Sequence, residues 1–317
     1  METKSRKEQV VKDDALKILL SNVVNENRKT RRWGIFFKIL TFIYLFLLFF
    51  VFFIKPSQEI SSSEDFTALV KLNGVIAAES EINADDAIKS IRKALKNEHS
   101  KALILSINSP GGSPVQSAII NDEIRRLKGM YPNKPIKVVV EDICASGGYY
   151  IAVAADEIYA NKASIVGSIG VLMNGFGFEK AIQTLGIERR LLTAGNNKGI
   201  LDPFGPVNKE QKDHVQNLLN EVHQQFITAV KEGRGSRLKN DESIFSGLFW
   251  NGESALDLGL IDGYGSTESI ARDVIGFDKI VDFTTYETFA DRFAKKLGAG
   301  VAQSVNLNIL KNNFQLK

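Results

Sequence analysis

Polar and apolar positions divide the chain into stretches of different character. Residues 1–32 are charge-dense, with nine Lys/Arg against five Asp/Glu, and Val10 to Val24 carries an apolar pattern suited to a short helix. Trp33 to Ile54 is almost wholly apolar, 22 residues with Lys38 as its single charge. As a helix it would span about 33 Å, enough for a hydrocarbon core of about 30 Å. Lys38 lies one turn in and can snorkel to headgroups. So many Phe and Leu around one helix suit lipid better than a protein core. Pro56 to Asp65, with Ser61-Ser62-Ser63, reads as a linker.

Beyond it the pattern alternates between strand and helix. Ala68 to Ile76 predicts a strand and turn, Asp85 to Lys96 a helix, Ala102 to Ile107 a buried strand, and Val115 to Leu127 a helix. Pro135 to Val140 predicts a strand, Tyr149 to Ala155 a helix and Glu157 to Ala160 a short strand. Lys209 to Lys231 is a long amphipathic helix, with Val215, Leu218, Leu219, Val222, Phe226, Ile227 and Val230 on one stripe. Residues 254–261 and 266–275 read as further helices, and 285–297 as a last one. This alternation predicts an α/β fold with a parallel sheet.

Charge and composition narrow the function classes. The net charge is only +3, and no basic stripe occurs outside the N-terminus, so nucleic-acid binding has no support. Arg28, Lys29, Arg31 and Arg32 precede the apolar run and only Lys55 follows it, which puts the N-terminus in the cytoplasm and the rest across the membrane. The run begins too late and lacks a small-x-small site before Pro56, so it reads as a retained anchor rather than a cleaved signal. The single cysteine, Cys144, forms no intramolecular disulfide and reads as a buried thiol. No metal or cofactor motif stands out.

Two glycine turns follow two of the expected strands: Asn108-Ser-Pro-Gly-Gly112 and Ala145-Ser-Gly-Gly148. In a parallel sheet both fall at the carboxyl edge, where ligands bind. Ser146 is a candidate nucleophile, and the N–H groups of Gly147 and Gly112 are candidate donors to an oxyanion. The base is open on composition alone. His99, His214 and His223 lack any turn or glycine-rich context and read as solvated, and the Gly-x-Ser-x-Gly elbow is absent. A desolvated lysine is the alternative. Lys198, in the Gly/Asn-rich loop Ala194-Gly-Asn-Asn-Lys-Gly-Ile-Leu-Asp-Pro-Phe204, is one candidate, and Lys162 is its rival.

The two turns, Gly167-Ser-Ile-Gly-Val171 and the Lys198 loop follow one another as in the SppA-type signal peptide peptidases. The chain resembles the short, single-copy members of that family from about Phe66 to Ile275. The resemblance implies a ClpP/crotonase-like α/β fold of repeated β-β-α layers and a bacterial membrane-anchored serine peptidase. It implies Ser146 as nucleophile, Lys198 as general base, Ser168 as the serine that orients the lysine, and Gly147 and Gly112 as oxyanion donors. It also implies a homo-oligomer whose neighbouring subunits complete the site, signal peptides and short apolar peptides as substrates, and no cofactor or metal. The organisation expected is a cytoplasmic tail (1–32), an anchor in the inner membrane (33–54), a linker (55–65), an extracytoplasmic Ser-Lys peptidase domain (66–275) and a C-terminal extension (276–317). A quality-control protease acting with a partner is an alternative. A crotonase-type acyl-CoA enzyme is a weaker one, because the anchor, the Ser-Gly-Gly turn and the Lys198 loop all argue against it.

Overall fold

A computed structural model describes residues 26–49 and 64–285. The chain forms two separate units, and the first contributes one described helix, α1 (Glu26–Phe49). By length and composition α1 can cross a membrane. It starts earlier than the expected anchor, and residues 50–54 of that anchor, like the expected helix over 285–297, lie outside the described residues. Thr41 turns its hydroxyl inward, Oγ1 donating to the Phe37 carbonyl at 2.8 Å, so no polar group projects there from the apolar run.

The second unit, residues 62–286, is built on a mostly parallel sheet. Its strands are β1 (Phe66–Asn73), β2 (Ser100–Ser109), β3 (Ile136–Ala145), β4 (Glu157–Ala160), β5 (Ile165–Gly167), β6 (Phe249–Asn251), β7 (Gly263–Tyr264) and β8 (Ile280–Asp282). The main path runs β6-β5-β3-β2-β1-β8, and β4 pairs with β3 and β7. Only the β5–β6 pair is antiparallel. β1, β2 and the first half of β3 are buried almost throughout, as strands covered on both faces must be. β8 pairs with β1, so the sheet continues past residue 275.

The crossovers are α2 (Ala84–Lys96), α3 (Pro114–Met130) and α4 (Gly147–Ala152). α2 starts on Asn83, whose side chain accepts from the Asp86 N–H at 3.0 Å, and its charges run acidic to basic along the dipole. α3 starts on Ser113 with Pro114 in its first turn. Later come α5 (Glu179–Thr184), α6 (Lys209–Arg234), α7 (Gly252–Asp257) and α8 (Thr267–Ser269), the last continuing as a π-helical turn over Ile270–Ile275.

Two features of β3 position the site. Between Ile107↔Val140 and Ser109↔Cys144, two steps on β2 face four on β3, a bulge that bends the end of β3. β3 also changes neighbour: residues 137–140 pair with β4, and 143–145 pair with β5.

α6 is the only long helix of this unit with one end off the core. Its buried residues are Phe226, Ala229, Val230 and Arg234, all in its C-terminal third. Arg234 is 2% exposed. It donates to both oxygens of Asp262, at 2.7 and 2.9 Å, and to the Gly259 carbonyl at 2.8 Å. Asp262 also accepts from the Ile158 N–H at 2.7 Å, so one buried ion pair ties α6 to the base of β4.

Candidate active site

Ser146 sits between the end of β3 and the start of α4 with φ 52° and ψ −120°. A positive φ costs a non-glycine residue about 1–3 kcal/mol and persists only where its surroundings impose it. Here they do. The Ser146 N–H donates to the Gly167 carbonyl at 2.8 Å, and the Ser146 carbonyl accepts from the Tyr150 N–H at 2.9 Å. α4 is fixed in turn: the fully buried Tyr149 donates its hydroxyl to the Leu260 carbonyl at 2.7 Å, and Asn121 Nδ2 donates to the Tyr150 carbonyl at 2.6 Å.

The turn after β2 meets this serine directly. Gly111 has φ 103°, and a Cβ there would stand 2.7 Å from Ser146 Cβ and 2.8 Å from Gly147 N. At Gly112 (φ 149°) a Cβ would stand 2.1 Å from the Ile76 carbonyl oxygen. Neither position tolerates a side chain. A Cβ on Gly147 would lie 3.2 Å from Gly112 N, so these two main-chain nitrogens are neighbours beside the serine. Paired N–H groups beside a hydroxyl are what an acyl-transfer site needs to hold an oxyanion.

Ser168 also has a positive φ, 52°. It belongs to a segment pinned at three successive residues. The Gly167 carbonyl holds Ser146, the Ser168 N–H donates to the Leu248 carbonyl at 2.7 Å, and His223 Nε2 contacts the Ile169 carbonyl at 3.1 Å. Since a carbonyl only accepts, that Nε2 carries a proton. His223 is therefore half-buried and bonded, not solvated as the sequence suggested. His214 is exposed, and His99 Nδ1 lies 3.3 Å from Asp65 at the surface.

Ser146, Ser168, Gly147 and Gly112 are thus brought together; Lys198 is not joined to them. It is exposed on the arm between β5 and α6, and its ammonium makes no hydrogen bond or ion pair among the described residues. The lysine loop is nonetheless built. Its turns close through Lys198 N–H to Gly195 O and Ile200 N–H to Asn197 O, both at 3.1 Å, and Leu201 adopts φ 57°. Gln211 Nε2 in the first turn of α6 donates to Asn197 Oδ1 at 3.0 Å. The arm exposes much apolar surface, including Leu172, Phe176, Leu185 and Leu192 at 73–96%. The rival Lys162 places its ammonium 5.3 Å from the centre of the Tyr264 ring, a cation–π contact that occupies it elsewhere.

Cys144 is fully buried, and burial pushes its thiol well above the ordinary range, so it has no part in nucleophilic chemistry. An open cavity of about 470 Å³ lies between α3 and α6 around Arg125 and Tyr150; Ser146 does not line it. Among the described residues no group of three His, Cys, Asp or Glu could hold a metal.

A profile of peptidase family S49 matches residues 130–275, a span that contains Ser146, Ser168 and Lys198. A Na(+)/H(+) antiporter NhaA of Brucella abortus is 48% identical over 190 residues, 60% of this chain. The chain spans only 26% of that protein's length. A putative signal peptide peptidase SppA of Enterococcus faecium is 28% identical over 241 residues, 74% of this chain and 70% of that one. A putative protease of Synechocystis sp. is 32% identical over 213 residues, 66% of this chain and 73% of that one. On this coverage and the profile match, the chain belongs to peptidase family S49.

Proposed function

We propose that this chain is a membrane-anchored serine endopeptidase with a Ser146–Lys198 dyad, acting on cleaved signal peptides and other short apolar peptides. One observation carries the reading. The described chain has three non-glycine residues at positive φ: Ser146, Ser168 and Leu201. They are the candidate nucleophile, the candidate lysine-orienting serine, and a residue three positions after Lys198. Backbone strain of this kind persists where function demands it.

In the mechanism, neutral Lys198 accepts the Ser146 proton as Oγ attacks the peptide carbonyl carbon. The N–H groups of Gly147 and Gly112 hold the oxyanion. The protonated lysine then gives its proton to the departing amine. Water attacks the acyl-enzyme, Lys198 takes its proton, and Ser146 is released as the peptide acid leaves. Ser168 holds the lysine amine toward Ser146.

A lysine acts as a base only when desolvated. The exposure of Lys198 and of the apolar arm around it therefore supports a homo-oligomer, in which the arm of one subunit is covered by the next and Lys198 serves a neighbouring Ser146. α1 supports the anchor, with the basic residues of its first two turns, Arg28, Lys29, Arg31 and Arg32, on the cytoplasmic side and the α/β unit across the inner membrane. The name of the Enterococcus relative supports the substrate class.

The test is turnover of a fluorogenic apolar peptide by detergent-solubilised full-length protein. Ser146→Ala and Lys198→Ala each abolish it. Unfolding and refolding the two inactive proteins together restores activity at about one quarter of the sites if the dyad closes between subunits. Wild-type turnover in Lys198→Ala removes the dyad; no recovery on mixing removes the shared site. A reporter fused after residue 60 that is active in the cytoplasm overturns the orientation.

A further inference from the structure

We infer that His223 is a positioning residue: through its bond to the Ile169 carbonyl it makes α6 a strut that sets the lysine loop and the Ser168 turn at a fixed separation. The inference rests on the dyad reading above and assigns a role to a residue outside it.

α6 grips one element of the candidate site at each of two points. Near its start, Gln211 Nε2 holds Asn197, the residue before Lys198, at 3.0 Å. Twelve positions later His223 Nε2 holds the carbonyl of Ile169, the residue after Ser168, at 3.1 Å. On a helix those positions are about 18 Å apart. No residue between Lys209 and Gln225 is fully buried. His223 lies one turn before Phe226, the first buried residue of the helix, so it sits where α6 leaves the body of the molecule. Its bond is the one that fastens the departing half of the helix to the strained segment.

The local strain gives the bond its consequence. Gly167 and Ser168 both have positive φ, and the carbonyl and N–H groups of this segment are held from three directions: by Ser146, by Leu248 and by His223. Ile169 is fully buried, so its carbonyl has little water to turn to when His223 is removed. A strained conformation survives only while its surroundings over-determine it. With one of three restraints gone, Ser168 moves toward ordinary backbone geometry, and the lysine loop at the far end of α6 loses its station. The imidazole touches no substrate in this account. Any side chain that puts an N–H at the Nε2 position serves.

Three variants test this: His223→Ala, His223→Asn and His223→Gln. A Gln amide nitrogen reaches about as far as Nε2; that of Asn does not. The expectation is a fall in kcat of about 10- to 100-fold in the Ala and Asn variants with KM changed less than about twofold, and recovery of most of kcat in the Gln variant. Amide hydrogen exchange gives a second readout. Residues 167–171 and 195–202 exchange faster in His223→Ala and return to the wild-type rate in His223→Gln, while 100–109 are unchanged. If His223→Ala does not fold, the comparison of Gln with Asn decides. Equal kcat in those two, or exchange at 167–171 unaltered by any variant, overturns the inference. A wild-type protein without peptidase activity overturns the proposed function instead, and the exchange pattern still decides the strut.

Discussion

The main-chain N–H of Ser146 donates to the carbonyl of Gly167, 2.8 Å away, so the candidate nucleophile and the strained turn of Ser168 share one hydrogen bond. The left-handed geometry of either residue depends on the other. The third party to this contact is Gly111, packed against Ser146 from the β2 side.

Gly111→Ala places a methyl group where Ser146 Cβ and Gly147 N already stand. The serine must move, and peptidase turnover is expected to fall about 100-fold. Stability falls by about 2 kcal/mol, because the turn has φ 103°. Turnover and thermal melting measured together check both parts; full activity in the variant excludes this packing.

Arg234→Met breaks the buried pair with Asp262. Arg237 still reaches Asp262 at 3.1 Å, so the loss is below that of an orphaned charge, about 2–3 kcal/mol in chemical denaturation. Adding Asp262→Asn to Arg234→Met keeps an acceptor for the buried Ile158 N–H, removes the half-paired charge and is expected to recover part of the loss. A double variant less stable than Arg234→Met contradicts this.

Glu123 controls part of the acid response. The hydrogen bonds from Arg126 and then Arg92 outweigh burial and hold its carboxyl at about 2, against an ordinary 4.5. The folded pKa is lower than the unfolded one, so this stabilisation is complete above about pH 4.5 and disappears as pH falls toward 2. Both arginines are about half exposed, which limits the contribution to about 1–2 kcal/mol. Glu123→Gln should flatten the stability–pH curve between pH 5 and 2; an unchanged slope removes Glu123 from the acid response.

Cys144 should resist a maleimide in the native protein at pH 8 and accept one label per chain in denaturant, since it is the only cysteine and has no exposed surface. Native-state labelling at the denatured rate would mean that the β3 turn opens freely.

Periodicity locates the long elements well, because α2 and α3 bury a stripe and β1 and β2 a nearly continuous apolar run; of the stripe read along α6, only the end from Phe226 onward is buried. It stops β3 at Val140, because the polar pair Glu141-Asp142 ends the apolar run. In the fold those residues continue the strand, with Glu141 accepting from Ser106 and Asp142 from Asn108. β5, β6, β7 and β8 have two or three residues each, too few for any period to register. Ser146, Gly147 and Gly112 are legible only as members of two glycine turns at strand ends, which tight turns alone would explain; that the two turns meet is a finding of the fold. Gly111 stands in the same motif and could be read with them. His223 is not legible, because only the tertiary path of α6 brings it to Ile169. The station of Lys198 is not legible either, since its arm has few partners within one chain.

The exchange of partners along β3 separates two kinds of failure. Residues 137–140 lie between β2 and β4, while at 143–145 β5 and, through it, β6 replace β4, and one β2 partner remains, Ser109 beside Cys144. Peeling away that short antiparallel pair would release Ser146 and leave the central strands intact. Such a partial opening costs less than global unfolding. Heat or denaturant can therefore silence this protein while most of its spectroscopic signal is still native.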